Sequence, residues 1–416
     1  MKILCLVDRY YPDSSANTIC ADNIADYFKA KGHSVDFLAV KINVNDETHS
    51  VHNGSNVIKI GTYYDRYLKK YGKKYNVEKW ADFPWLFRKY QGLKNRVLRF
   101  FRPATQYVNL DCVNYREICG QIREVSESYD AIISICMPFA FQVIANKLIK
   151  MGIAKSWYPV FLDAFVYNKC LNPRKINYRK NLAKKILKPA DKIFMVDGIV
   201  EENIKQGFQP YYHEKVDEIY IPMLKEINLP EVESRDNDRV VLTYAGLFYR
   251  DIRRPDEMLS ILSHLSSDCE VHIIGDGCEE VVREKSKLFK ECELITFGRI
   301  SHEGCMQELA KSDILINLGN TITNQMPSKV FEYISFGKPI INFYFTEEDM
   351  CLKVFKKYPL AFNININNYS QETINNLKKF IKEHTKTQLS FDEATSLLPE
   401  YRVENIVNKM YEVMSK

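Results

Sequence analysis

One stretch gathers residues whose types and spacing suit anion chemistry: Asn324-Gln325-Met326-Pro327-Ser328-Lys329-Val330-Phe331-Glu332-Tyr333-Ile334-Ser335-Phe336-Gly337-Lys338-Pro339. Pro327 suits the first turn of a helix and Gly337 its C-terminal cap, with Val330, Phe331 and Ile334 as the inner face over 327–336. The amides and positive dipole end of such a helix suit a diphosphate, to which Ser328 adds a hydroxyl and Lys329 a charge. Glu332, one turn deeper, can accept hydrogen bonds from ribose hydroxyls. Its alternative role is a solvated i, i+3 pair with Lys329. Upstream, Gly246 precedes Arg250, Arg253 and Arg254, cations that can neutralise a leaving diphosphate or form a plain surface cluster. Gly275-Asp276-Gly277 and Gly298-Arg299-Ile300 each close an apolar run, the position at which open sheets bind ligands. Asp163 closes another; its alternative role is a helix N-cap.

The elements that must hold these residues are read from periodicity. Apolar runs of strand length alternate with helix-period segments almost throughout, the pattern of parallel sheets covered by helices. Lys2 to Val7, a helix from Ile19 to Lys31 ended by Gly32, and Ser34 to Val40 form a first βαβ unit. Ala131–Cys136, Tyr158–Leu162, Lys192–Val196 and Glu218–Tyr220 continue that domain. The charged, apolar-poor stretch Leu229 to Asp238 reads as a linker. Beyond it the strands Val240–Tyr244, Glu270–Ile274, Leu294–Phe297, Ile314–Asn317 and Pro339–Phe343 alternate with helices. The expected fold class is α/β, with two Rossmann-like domains spanning 1–228 and 239–395. A C-terminal helix within 396–416 is expected to pack back on the first domain. At 416 residues the chain also exceeds the size at which a single core keeps growing.

With those segments in place, 324–339 resembles the donor-binding motif of the GT-B glycosyltransferases of family 4: a small-residue loop, a helix ending in Glu-Tyr, then Gly-Lys-Pro. The resemblance covers nearly all of the chain outside 45–125. That motif has two glutamates eight positions apart. Glu332 matches the second, whereas the first falls on Asn324, an amide where the family sets a carboxylate against the donor sugar. Pro327 likewise replaces a phosphate-binding amide of many relatives. The resemblance implies a diphosphate clamp at Arg253, with Arg250 second. It implies contact with the nucleotide through Gly246, Gly275, Met326, Pro327, Ser328, Lys329 and Glu332, and a base cradled at Arg299 and Ile300. Asp163 occupies the position of a His or Asp that touches the donor sugar, which makes Asp163 and Asn324 the catalytic candidates. The loop Ser14-Ser15-Ala16-Asn17 stands where relatives have Gly-Gly. As to activity, the resemblance implies a transferase that retains anomeric configuration and moves a sugar from a nucleotide diphosphate donor to a glycan or lipid-linked acceptor, in cell-surface polysaccharide or glycolipid synthesis.

No cofactor beyond the donor substrate is expected. No metal is expected either, since no Asp-x-Asp pair stands well placed after a strand. A dehydrogenase is disfavoured because neither domain begins with G-x-G-x-x-G and a ribose-binding acid. The rivals are a nucleotide-sugar epimerase or hydrolase on the same scaffold, and a noncatalytic partner protein, which Asn324 would suit.

Charge is unevenly placed. Tyr64 to Arg102 holds twelve Lys and Arg against three Asp and Glu, so the remainder of a chain with net charge +5 is negative. This basic, aromatic insertion of about 64–107, seconded by the basic helix Arg174–Lys188, suits an anionic membrane surface better than nucleic acid. No window carries the roughly 18 consecutive apolar residues of a membrane span. Eleven scattered cysteines without C-x-x-C or Cys/His spacing suit reduced thiols in a cytosol. The expected location is cytoplasmic, peripheral at the inner face of the plasma membrane.

Overall fold

The alternation predicted from sequence builds two parallel sheets, each flanked by helices. The computed structural model describes residues 1–11, 15–41, 46–61, 63–77, 82–101, 115–167, 173–206, 213–228, 238–322 and 326–416. The chain divides into one unit of Met1–Pro222 with Ile406–Lys416 and a second of Met223–Asn405. The crossing at Pro222 lies upstream of the charged stretch because Met223 and Leu224 are already buried. Leu224 bridges Arg402 within the second unit.

The first unit holds β1 (Lys2–Leu6), β2 (Ser34–Val40), β3 (His49–His52), β4 (Ser55–Ile60), β5 (Tyr129–Cys136), β6 (Ala154–Phe161), β7 (Ile193–Val196) and β8 (Val216–Ile219). Their spatial order is β3-β4-β2-β1-β5-β6-β7-β8, parallel except for β3 against β4. That hairpin is absent from the sequence reading, yet its turn is Asn53-Gly54, both at positive φ (47° and 73°), the signature of a two-residue hairpin loop. The first helix runs Ala16–Ala30, three residues earlier than periodicity places its start. Ser15 and Thr18 form a capping box there, so a polar cap and not the first apolar residue sets the boundary. The last helix, Val403–Met414, returns the chain to this unit: Tyr27 donates to Asn408 Oδ1 at 2.8 Å, and Tyr411 packs edge-on to Phe28.

The second unit holds β9 (Val240–Ala245), β10 (Cys269–Ile274), β11 (Glu293–Gly298), β12 (Ile314–Leu318), β13 (Ile340–Tyr344) and β14 (Ala361–Asn365). The order β11-β10-β9-β12-β13-β14 reverses direction between β9 and β12, the arrangement in which ligands lodge beyond the strand ends at that reversal. β14 goes unread from sequence, although Phe362-Asn363-Ile364-Asn365-Ile366 alternates as a strand should. The apolar faces of these strands pack on Met258, Leu259, Leu262, Leu377 and Ile381 from the covering helices. Within that sheet, Asn317 donates to Asn342 and Asn342 to Asn363, each at 2.8 Å, an amide ladder across β12, β13 and β14 that is buried at Asn317 and Asn342.

Two residues of the Gly-Lys-Pro segment have plain structural causes. Gly337 sits at φ +66°, and a Cβ there would come within 2.1 Å of the Leu389 carbonyl oxygen. Lys338 is buried and donates to the carbonyl oxygens of Leu309, Ala310 and Ser312, capping the C-terminal end of helix His302–Lys311 with a charge that suits its dipole. Lys338→Met should therefore leave three carbonyls without their donor and cost about 2–4 kcal/mol. Urea unfolding of the second unit measures it; a loss below about 0.5 kcal/mol would contradict the capping role.

Candidate functional site

The loops after β9 and β12 meet at the reversal of strand order. The amide of Gly246 donates to the Ile274 carbonyl at 2.9 Å, on the β10 side. Backbone groups of successive residues in a strand face opposite neighbours, so the N–H and C=O of Ala245 face the β12 side. There the β9–β12 pairing has already ended at Tyr244 and Ile316. The buried hydroxyl of Tyr333 fills the place of the missing strand: it accepts from the Ala245 amide at 2.8 Å and donates to its carbonyl at 3.2 Å. Tyr333 thereby fixes the short helix Lys329–Ser335 against the end of β9. The sequence motif gives Tyr333 no role, because its task depends on which strand ends first.

That helix is seven residues long and starts after Pro327 and Ser328, which precede it. Val330 and Phe331 donate to the carbonyls of Pro327 and Ser328 at 3.3 and 3.2 Å, so two early amides turn inward to their own chain. Lys329 meets Glu332 at 2.5 Å, the i, i+3 pair that the sequence offered as the alternative role. The pair is not solvated, however, since the side chains are only 25% and 12% exposed. His302 Nε2 stands 3.9 Å from the other Glu332 oxygen. Burial pushes the Glu332 pKa up, but His302 and Lys329 outweigh it and hold the carboxyl below its usual range. Burial likewise opposes the charge on Lys329, and Glu332 overcomes it, so the ammonium is held above its usual value. His302, at the start of its helix after Ser301, thus joins the site. Ser301 does cap that helix, its hydroxyl accepting from the Gly304 amide at 3.1 Å.

The three arginines separate. Arg253 alone turns toward the reversal, its Nε and Nη2 donating to Asn320 Oδ1, just past β12, at 3.0 and 2.8 Å. Thr321 reinforces this junction, its amide donating to the Ile252 carbonyl at 2.8 Å. That partner is a neutral amide oxygen, so this bond does not itself neutralise the guanidinium. The nearby Asp349 carboxylate is buried; burial raises its pKa, while its bonds to the Cys351 backbone and the charge of Arg253 work against the rise. Asp349 fits only because residue 319 is glycine: a Cβ there would lie 2.0 Å from Asp349 Oδ2. Arg250 departs from the expected second clamp, being 74% exposed and paired with Glu280 at 3.0 Å. Arg254 pairs with Asp256 at 2.6 Å. A shift of one residue along a turn decides which arginine points inward, and spacing alone does not resolve that.

Gly275 is at φ +127°, and a Cβ would meet the Gly246 carbonyl oxygen at 2.0 Å; the loops after β9 and β10 touch backbone to backbone. Arg299 is exposed and reaches Asp276 at 3.3 Å, with Ile300 next to it ahead of the His302 helix. Met326, Pro327 and Ser328 lead into the Glu332 helix, whereas Asn324 lies outside the described residues.

In the first unit Asp163 lies two residues beyond β6, and its charge adds to burial in raising the thiol of Cys136, the last residue of β5. Its loop is clamped by Phe165, stacked on Phe139 at 3.8 Å, while Arg179 donates to the Phe165 carbonyl at 2.6 Å. Arg179 belongs to the basic helix Pro173–Leu187 expected at a membrane, but it is buried and faces inward. Asp8, which the sequence reading passed over, closes β1; burial raises its pKa against the hydroxyl bond from Ser15. Asn17, in the helix Ala16–Ala30, donates to the Met137 carbonyl just past β5 at 2.9 Å.

No family model matches the sequence, and no curated protein matches it. Solved structures do match over the whole chain. HepE of Anabaena, in complex with UDP and glucose, is 13% identical with a TM-score of 0.62, covering 100% of this chain and 99% of that one. Sucrose-phosphate synthase of Thermosynechococcus elongatus is 11% identical, TM-score 0.65, covering 100% and 98%. The lipopolysaccharide outer core galactosyltransferase WaaB in its apo form is 15% identical, TM-score 0.56, covering 100% and 99%. The fold is that of the GT-B glycosyltransferases. Within that fold the residues at the β9–β12 reversal are this chain's own, and identities this low transfer none of the neighbours' ligands to them.

The geometry has two measurable outcomes. Tyr333→Phe should strand the Ala245 N–H and C=O and lower unfolding free energy by about 1–3 kcal/mol; an unchanged urea midpoint would refute the strand-replacing role. A carboxylate whose folded pKa is depressed contributes stability above its unfolded pKa, of about 4.3, and loses it as pH falls through the folded value. Glu332→Gln should therefore flatten the acid limb of stability against pH below about 4.5. Parallel acid limbs in both proteins would mean that Glu332 is not held ionised by its neighbours.

Proposed function

We propose that the chain transfers a glycosyl group from a nucleoside diphosphate donor to a glycan or lipid-linked acceptor, with retention of anomeric configuration and without a metal ion. The observation that carries this reading is Arg253, a cation fixed at the reversal of strand order by hydrogen bonds to a neutral amide oxygen, which do not neutralise it. In the transfer, the bond between the anomeric carbon and the diphosphate oxygen breaks, the acceptor hydroxyl oxygen bonds to that carbon, and the hydroxyl proton passes to the leaving diphosphate. Negative charge then builds on the leaving diphosphate, the place where a fixed cation lowers the barrier most. Glu332, held ionised, is the acceptor for ribose hydroxyls, with Lys329 and His302 positioning it. Gly246 and Gly275 allow the nucleotide to approach backbone closely, and Arg299 and Ile300 flank the base. Met326, Pro327 and Ser328 lie beside the phosphates. Asp163 and Asn324 are the proposed catalytic residues.

The fold supports this class of chemistry, as its solved neighbours include proteins bound to UDP-glucose and to ADP. Cell-surface polysaccharide or glycolipid synthesis at the inner face of the membrane belongs to the same proposal. Among the described residues no helix is long and apolar enough to cross a membrane.

A panel of nucleoside diphosphates and their sugars should raise the melting temperature, and Arg253→Ala should weaken the best ligand at least about tenfold, on the order of 1.4 kcal/mol. EDTA should leave transfer intact. Sugar nucleotide consumed equally without acceptor would indicate the epimerase or hydrolase rival, and no binding at all would indicate the noncatalytic one.

A further inference from the structure

Helix Trp85–Phe101 carries its apolar side chains on the wrong side for a surface helix. Among its described side chains, Phe87 stacks on Phe83 at 4.8 Å and meets Tyr75 at 5.1 Å and Tyr71 at 5.4 Å, and Gln91 is buried. The opposite side of such a helix is ordinarily polar. Here Trp85, Leu86, Tyr90 and Leu93 are 61, 71, 65 and 61% exposed. At 3.6 residues per turn these four fall within an arc of about 140°, with Lys89 inside it. Leu86, Lys89, Tyr90, Gly92 and Leu93 line an open groove of about 480 Å³. The Lys89 ammonium lies 4.5 Å from the Trp85 ring centroid.

We propose that this face inserts into the interfacial layer of a bilayer containing anionic lipid, the two leucines entering the acyl boundary and Trp85 and Tyr90 lying at headgroup level. This deepens the membrane-surface part of the reading above: one apolar helix face carries the attachment, and charge alone does not. Three observations favour lipid over a protein partner. Trp and Tyr rings with one polar edge match the headgroup boundary, and the Lys89 ammonium held over the Trp85 ring sets a cation at the same level as that ring, where lipid phosphates lie. The surrounding segment is strongly cationic, with Arg88 and Lys94 on the same helix and Lys70, Lys73 and Lys74 on helix Tyr63–Tyr75, which suits anionic headgroups. A second copy of the chain would set Lys89 and those same cations against themselves. The helix is also too polar to span, so it lies in the plane of the surface.

The test uses the full chain with vesicles of phosphatidylcholine alone and of phosphatidylcholine with phosphatidylglycerol. The protein should sediment with the mixed vesicles and its tryptophan emission should shift to the blue, a shift lost in Trp85→Phe. Leu86→Glu/Leu93→Glu should cut vesicle affinity at least about tenfold while circular dichroism and nucleoside diphosphate binding stay unchanged. Raised salt should weaken sedimentation without abolishing the blue shift of the bound fraction. Vesicle binding that the double variant leaves intact, or that vanishes wholly with salt, would overturn insertion whatever the nucleotide site does. So would a dimer that Leu86→Glu dissociates, which would make the face a contact between copies. Nucleotide binding is read in the same samples, so failure of the transferase reading leaves this result standing.

Discussion

The hydroxyl of Tyr333 occupies the place of a strand: it accepts the Ala245 amide at 2.8 Å and returns its own proton to the same residue's carbonyl at 3.2 Å. A six-stranded parallel sheet that reverses direction between β9 and β12 must let those strands part at their C-terminal ends, and parting leaves buried backbone groups without partners. One phenol resolves that conflict without closing the gap. The same contact decides where helix Lys329–Ser335 stands, and with it Lys329 and Glu332. Gly246 and Arg253 lie on the other bank, where Asn320 and Thr321 tie the β9 loop to the end of β12. The parting is thus a by-product of sheet topology, and the residues beside it are those which stabilise it.

Electrostatics within the site separate into two kinds. Lys329 and Glu332 neutralise one another, with His302 beyond, so that corner contributes little net field. Arg253 is hydrogen-bonded to a neutral oxygen, with the buried Asp349 carboxylate near enough to feel its charge. Arg250 and Arg254, equally charged in the sequence, spend their charge in exposed pairs with Glu280 and Asp256, which water and salt screen. Counting arginines therefore overstates the cationic character of this loop, and the identity of the partner settles which of them matters.

Fold class was legible in the chain because burial in parallel sheets writes long apolar runs that helices interrupt. Places governed by a single polar residue were not. Ser15 moved a helix start by three residues, Asn53-Gly54 made a hairpin in a stretch left unassigned, and the Phe-Asn-Ile-Asn alternation of β14 was a strand without a continuous apolar run. In the candidate site, Lys329 and Glu332 could be found from spacing, and so could Gly246 and Gly275. Their long-range partners could not: His302 with Glu332, Asn320 with Arg253 and Tyr333 with Ala245 are each brought together by the sheet. Lys338 shows the reverse error, a motif residue next to the site whose ammonium serves a helix end.

The amide ladder of Asn317, Asn342 and Asn363 carries a further consequence. In a sheet of aliphatic strands, sliding one strand by two residues keeps every apolar side chain on its proper face, so hydrophobicity alone scarcely forbids it. A carboxamide at one level of each of three neighbours does forbid it, because a displaced strand would bury two amides among hydrocarbon with nothing to bond. The asparagines thus act as a ratchet tooth for assembly: they lock β12, β13 and β14 into a single alignment, and so fix how far the β12 loop that carries Asn320 can reach.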